Sequence, residues 1–203
     1  MTATRVVIAD DHAAVRAGIR GLLNKAEDIE IVGEAGNGIE AVEVTNHLCP
    51  DVLLLDMEMP GMMGIDVAKK LVDGDSKVNI LAVSAHEDKQ YIVGMLGNGA
   101  AGYLTKDEVP ETLVKAVRGV AKGERGWVSR RVAAQIAVWA KEDKLRKIGL
   151  SKQELDILRM QLNGKSYQEI AHSLGLHIDL IEEIIDRAVV TIRNKLNEGF
   201  TPA

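Results

Sequence analysis

Apolar residues follow two different rhythms along this chain. Up to residue 121, short apolar runs alternate with stretches that repeat every three to four positions. Val6-Val7-Ile8-Ala9 predicts a buried strand, and Val15, Ile19, Leu22 and Leu23 then recur at helical spacing. The same alternation predicts strands over 29–35, 52–55, 80–83 and 102–104. Helices are predicted up to about Leu48, then over 64–72, 87–97 and 109–121. Val52-Leu53-Leu54-Leu55 has no polar position, which predicts a central strand covered on both faces. Five βα units in succession predict a doubly wound, five-stranded parallel α/β sheet with helices on both faces.

Beyond residue 121 the strand rhythm stops. Lys122-Gly123-Glu124-Arg125-Gly126 interrupts it, and 129–147 predicts a helical, charge-ended linker. Ser151-Lys152-Gln153-Glu154 is a capping box before Leu155, Leu158 and Leu162, and Ser166-Tyr167-Gln168-Glu169 is a second, before Ile170 and Leu174. Gly175 is the expected end of that short helix. A longer helix is predicted over 178–196. Short helix, tight turn and longer helix make a helix-turn-helix layout. The expected organisation is a domain over 1–122, a helical linker over 123–147 and a smaller all-α helix-turn-helix domain over 148–203.

Composition changes this picture little. The 203 residues are 46% hydrophobic and 27% charged, with a net charge of -5, as in soluble domains. No apolar run reaches the roughly 18 residues of a membrane span, and the N-terminus enters a strand without a signal peptide. The single cysteine, Cys49, fits a reducing cytoplasm. Charge is uneven: -7 over 1–125, +2 over 126–145 and zero over 146–203. The acidic first part does not suit nucleic acid, and a neutral last part is weak for a DNA binder.

The candidate chemistry sits at the carboxyl ends of the strands, where open doubly wound sheets bind ligands. Asp10 and Asp11 follow strand one, Asp56 follows strand three, Ser84 follows strand four and Lys106 follows strand five. With strands one and three adjacent, the three acids share one crevice. Clustered carboxylates repel, and a hard cation such as Mg²⁺ offsets that. Asp56 is then a candidate nucleophile for an aspartyl phosphate, with Lys106 facing the phosphoryl oxygens. Each residue also has a duller reading. Asp11 could cap the first helix, Asp56 could start the turn at Pro60-Gly61, Ser84 could be a cap, and Lys106 a solvated lysine. His12 and His86 flank this end as rim residues rather than ligands.

Four segments carry a specific resemblance. Ile8-Ala9-Asp10-Asp11-His12, Leu55-Asp56-Met57-Glu58-Met59-Pro60-Gly61-Met62-Met63-Gly64, Val83-Ser84-Ala85-His86 and Ala100-Ala101-Gly102-Tyr103-Leu104-Thr105-Lys106-Asp107 resemble the receiver signature of two-component response regulators. The resemblance spans residues 5–122 and implies a flavodoxin-like strand order. It implies that Asp11 binds Mg²⁺ directly, that Asp10 does so through water, and that Asp56 and the Glu58 backbone carbonyl complete the shell. It implies phosphorylation of Asp56 by a sensor histidine kinase. It also makes Ser84 and Tyr103 a switch pair, Tyr103 turning inward as Ser84 moves toward the phosphoryl group; otherwise Tyr103 is a half-buried ring with its hydroxyl at the rim.

Residues 122–176 resemble the linker and output domain of the NarL/FixJ (LuxR-type) regulators. That implies a transcription regulator binding DNA, as a homodimer on phosphorylation. Candidate DNA contacts are Lys165, Ser166, Arg187, Arg193 and Lys195. The last helix departs from the family. Asp179, Glu182, Glu183 and Asp186 form an acidic stripe opposite the expected core face of Ile178, Ile181, Ile185, Ala188 and Ile192, with Leu180 and Ile184 partly exposed. The acidic helix therefore supports a second reading, a phosphorylation-controlled switch that binds a protein there. A third reading, a phosphatase built on Asp56-Met57-Glu58, is weakest, because Asp10-Asp11 is the better metal pair and no cap domain is visible. The chain is expected not to be an enzyme.

Overall fold

The computed structural model describes residues 3–139 and 149–198, apart from the side chain of Glu111. Two compact units divide at Trp127/Val128. The first contains β1 (Thr4–Ala9), α1 (Ala13–Leu23), β2 (Ile29–Ala35), α2 (Gly38–Leu48), β3 (Val52–Leu55), α3 (Gly64–Asp73), β4 (Asn79–Ser84), α4 (Lys89–Gly97), β5 (Gly102–Thr105) and α5 (Val109–Ala121). Strands β1 to β5 pair in parallel, and the sheet order is β2-β1-β3-β4-β5-β6, where β6 is Trp127–Val128.

The sheet buries both faces, because successive side chains of a strand point to opposite sides. Val6, Ile8, Val52, Leu54, Leu81 and Val83 meet Ile19 and Leu23 of α1 and Leu113, Ala116, Val117 and Val120 of α5. The intervening Val7, Leu53, Leu55, Ile80 and Ala82 are as fully buried. β3 is apolar at every position because it lies between β1 and β4.

The sixth strand differs from the expected five. Trp127 N donates to the Ala101 carbonyl at 3.2 Å, which adds the chain to the open side of β5. Two glycines make room. A Cβ on Gly102 would lie 2.2 Å from the Trp127 carbonyl oxygen, and one on Gly119 would lie 2.4 Å from the indole nitrogen. A two-residue strand has no period to read in a sequence.

After Val128, the regular elements among the described residues of the second unit are helices: α6 (Arg130–Trp139), α7 (Lys152–Leu162), α8 (Tyr167–Leu174) and α9 (Ile178–Asn197). The expected linker over 123–147 is in part a packed helix. Val132, Ala133, Ala134, Ile136 and Ala137 of α6 are buried, and α6 packs on α7 and α9. Residues 140–148 of that linker lie outside the described residues. Both capping boxes form, and Gly175 ends α8 with φ 64°. Ile181, Ile185, Ala188 and Ile192 are buried as expected, and Leu180 is exposed. Ile184 is not exposed: it is buried beside Ile185, because the apolar face of α9 is wider than the sequence stripe suggested. No helix among the described residues is long and apolar enough to cross a membrane.

Candidate functional site: a carboxylate and lysine crevice

Strand register assembles the site. Ala9 pairs with Leu55, so Asp10 and Asp56 leave adjacent strands at the same level. Asp10 N donates to the Ala35 carbonyl at 3.1 Å, and Asp56 N donates to the Ala9 carbonyl at 2.9 Å. On the other side Ser84 pairs with Thr105, and Lys106 N donates to the Ser84 carbonyl at 2.9 Å. The loop after Asp56 is held by close backbone approach. A Cβ on Gly64 would lie 2.3 Å from the Asp56 carbonyl oxygen, so only glycine fits there.

Lys106 joins the two buried acids. Its ammonium lies 2.7 Å from Asp10 Oδ2 and 3.1 Å from Asp56 Oδ2. Burial pushes the Asp56 carboxyl above its ordinary value, and the Lys106 charge only partly offsets that. Burial works against the Lys106 ammonium as well. The hydrogen bond to Asp10 and the Asp56 charge outweigh it, and the lysine pKa rises. Lys106 is therefore not the solvated lysine of the duller reading.

The cap readings of Asp11 and Ser84 also give way. Asp11 does not cap α1: the N-cap is His12, without a side-chain cap bond, and the His12 amide donates to Asp10 Oδ1 at 2.8 Å. Asp11 Oδ1 instead lies 2.6 Å from His12 Nδ1. Asp56 Oδ1 accepts from Met57 N at 2.8 Å. Ser84 does not cap α4, whose N-cap is Asp88; its Oγ accepts from His86 N at 3.0 Å.

Tyr103 is fully buried rather than half-buried at a rim. Its hydroxyl donates to the His86 carbonyl at 2.8 Å. Burial pushes its phenol up to about 12, against the opposing hydrogen bond with Ser84. His86 is more than a rim residue. Its Nε2 lies 3.1 Å from Glu58 Oε2, and Glu58 Oε1 accepts the Tyr91 hydroxyl at 3.1 Å. The sequence held no periodic signal for that contact, because it joins three separate segments.

Donor atoms of Asp10, Asp11 and His12 lie within 4.8 Å of one another. Asp56 is tied to the same cluster through Lys106. Two nearly buried carboxylates, a third at the rim and one ammonium make a hard, anionic oxygen set. Such a set fits a small divalent cation better than a soft metal.

The candidate DNA contacts are not gathered in this way. Ser166 is engaged in its capping box, with Oγ 2.9 Å from Glu169 Oε2. Arg187 Nε lies 2.9 Å from Glu154 Oε1, Arg193 donates to the Val128 carbonyl at 3.3 Å, and Lys195 pairs with Glu198 at 2.7 Å. Lys165 is exposed. Of the acidic stripe, Asp186 is held by Arg130 at 2.7 Å and Asp179 lies 3.2 Å from His177 Nδ1, while Glu182 and Glu183 are exposed.

Five βα units with acids and a lysine at one sheet edge define the receiver class of signalling domain. Comparison with known proteins agrees. The response regulator receiver domain model matches residues 6–118. An uncharacterized transcriptional regulatory protein of Bacillus subtilis (strain 168), YhcZ, is 37% identical over 174 residues, covering 84% of this chain and 80% of that protein. The receiver domain of the putative response regulator NarL from Mycobacterium tuberculosis superposes with a TM-score of 0.59 at 39% identity, covering 61% of this chain and 99% of that one. RcsB of Salmonella typhimurium, solved in a study of its DNA interaction, has a TM-score of 0.61 at 26% identity, covering 95% of this chain and 93% of that one. The chain belongs to the response regulators and is of the NarL/FixJ type.

Proposed function

We propose that this chain is a cytoplasmic transcription regulator switched by phosphorylation of Asp56. The receiver domain spans 1–122 and the output domain 148–203. The Lys106 ammonium bridging Asp10 and Asp56 is the observation that carries the reading. Asp56 Oδ2 attacks the phosphorus of a phosphohistidine on the sensor kinase. The new P–O bond forms as the P–N bond breaks, and the histidine leaves as neutral imidazole after taking up a proton. Asp10, Asp11, Asp56 and the Glu58 carbonyl would hold Mg²⁺, which neutralises charge on the transferring group. Lys106 fixes a positive charge beside the acceptor, and Ser84 supplies a hydroxyl at the same edge. The chain thus acts as a regulator, not as an enzyme with turnover on a substrate pool.

The output is DNA binding by the helical unit, as a homodimer. Its support is the α8–turn–α9 scaffold, a relative named as a transcriptional regulatory protein, and the similar response regulator RcsB, solved as dimers bound to DNA. Glu182 and Glu183, exposed on α9, favour a second output, in which this helix meets a basic protein.

The test is phosphate uptake from acetyl phosphate with Mg²⁺. The native chain takes up one acid-labile phosphate, and Asp56→Asn takes up none. Equal uptake by Asp56→Asn overturns the assignment.

A further inference from the structure

His86 stands between the acceptor loop and the switch pair. Its main chain serves the switch: the amide donates to Ser84 Oγ at 3.0 Å, and the carbonyl accepts the Tyr103 hydroxyl at 2.8 Å. Its side chain serves the loop: Nε2 lies 3.1 Å from Glu58 Oε2. Tyr91, at the start of α4, closes the cluster. Its hydroxyl donates to Glu58 Oε1 at 3.1 Å, and its ring centroid lies 5.2 Å from that of His86. Glu58 is two residues beyond Asp56, on a loop that Gly64 pins to the Asp56 backbone.

We infer that Glu58, His86 and Tyr91 form a side-chain clamp that ties the acceptor loop to α4 and holds Tyr103 inward before any phosphoryl group arrives. The inference rests on the proposed function in treating Tyr103 as the switch. The physical argument is one of leverage. Tyr103 keeps its buried position by giving its only proton to the His86 carbonyl, and a buried phenol without that acceptor is costly. The carbonyl stays in place only while the loop bearing it does. That loop leaves β4 after Ser84, and Glu58 and Tyr91 grip its side chain from two other segments. Movement of the Glu58 loop therefore reaches Tyr103 through one residue. His86 is a positioning residue here: it touches the switch, not the acceptor carboxylate.

The chain has three tyrosines, Tyr91, Tyr103 and Tyr167. The full chain is labelled with 3-fluorotyrosine, and its fluorine signals are assigned with Tyr→Phe variants at each position. Relaxation of the Tyr103 signal by a soluble paramagnetic agent scales with the outward fraction. In unphosphorylated Glu58→Ala and His86→Ala this relaxation rises by up to about fivefold, the range one exposed polar side-chain contact supports. Tyr91→Phe, which removes one hydroxyl, gives a smaller rise. The melting midpoint stays put, because the Glu58 and His86 side chains are 49% and 36% exposed. Unchanged Tyr103 relaxation in both alanine variants overturns the clamp. So does a rise seen only with a falling melting midpoint. Failure of Asp56 to take up phosphate would instead overturn the proposed function, and these measurements use unphosphorylated protein throughout.

Discussion

Arg187 of α9 reaches across the helical unit to Glu154 of α7, Nε to Oε1, at 2.9 Å. Glu154 is also the returning acid of the first capping box: its Oε2 accepts from Ser151 N at 2.8 Å and from Ser151 Oγ at 2.7 Å. One nearly buried carboxylate thus fastens a helix start and a neighbouring helix. A residue read from the sequence only as a cap acid, and one read as a DNA contact, spend their charges on each other.

That pairing predicts an acid-sensitive helical unit. Burial tends to raise the Glu154 carboxyl, but the Ser151 amide and the Arg187 guanidinium outweigh it and hold it below 4.5. A depressed carboxyl contributes stability that is present above its unfolded value. The contribution is lost as pH falls through the lower folded value. Glu154→Gln should flatten the loss of stability below about pH 4.5, and Glu154→Ala should cost about 1–2 kcal/mol at pH 7. Urea unfolding followed by circular dichroism across pH checks both. Parallel acid limbs for Glu154→Gln and the native chain would refute the first.

Asp56 carries the opposite sign. Its carboxyl is raised by burial, so ionising it opposes folding at neutral pH. The penalty is full above the raised folded value and vanishes below the unfolded value, near 3.8. Asp56→Asn, isosteric and uncharged, should therefore stabilise the first unit by about 1 kcal/mol at pH 7 with metal chelated, and lose that advantage toward pH 3. Thermal melts with EDTA at both pH values decide it. A less stable Asp56→Asn at pH 7 would mean that Lys106 outweighs burial.

Lys106 competes with any cation for the carboxylates it touches. Lys106→Ala should tighten Mg²⁺ binding roughly threefold to tenfold, because the removed charge repels the ion. Phosphate uptake should fall in the same variant, since the fixed charge beside the acceptor is gone. Calorimetric titration with Mg²⁺ measures the first effect and acetyl phosphate labelling the second. Weaker Mg²⁺ binding would show that Lys106 holds the acids in place for the ion.

Gly102 marks where the sequence was hardest to read. Its added Cβ would meet the Trp127 carbonyl at 2.2 Å and Leu81 Cδ1 at 2.9 Å, and the first is backbone that cannot rotate away. Gly102→Ala should cost about 2 kcal/mol and free β6, shown by faster amide exchange at Trp127.

The five longer strands were legible, because apolar runs such as Val52–Leu55 leave no other use for themselves; their order in the sheet came only with the receiver resemblance. The acids and Lys106 were legible for a related reason. A parallel sheet puts every strand's carboxyl end on one edge, so position in the chain fixes position in space. β6 was not, since Trp127–Val128 is too short for a period. Ile184 was misread because one stripe cannot show how wide a buried face is. The Glu58–His86–Tyr91 contact depends on side chains from three loops and helices, which no spacing encodes.

The acidic face of α9 gives the last prediction. Asp179, Glu182, Glu183 and Asp186 crowd its first two and a half turns; Arg130 holds Asp186 and His177 flanks Asp179, while among the described residues no basic side chain pairs with Glu182 or Glu183. If this face meets DNA, carboxylates approach phosphates, and each pair costs about 1 kcal/mol at 4 Å in water. Neutralising the two exposed acids, as Glu182→Gln with Glu183→Gln, should then tighten binding of phosphorylated full chain to a duplex about tenfold or more at low salt. The same change should steepen the fall of affinity with salt, because more counterions are released per protein bound. Fluorescence anisotropy across a salt series reads both slopes. An unchanged affinity would place these acids away from the duplex. A native chain that shows no salt-dependent binding, and a double variant that shows none either, would move the output from DNA to a protein partner.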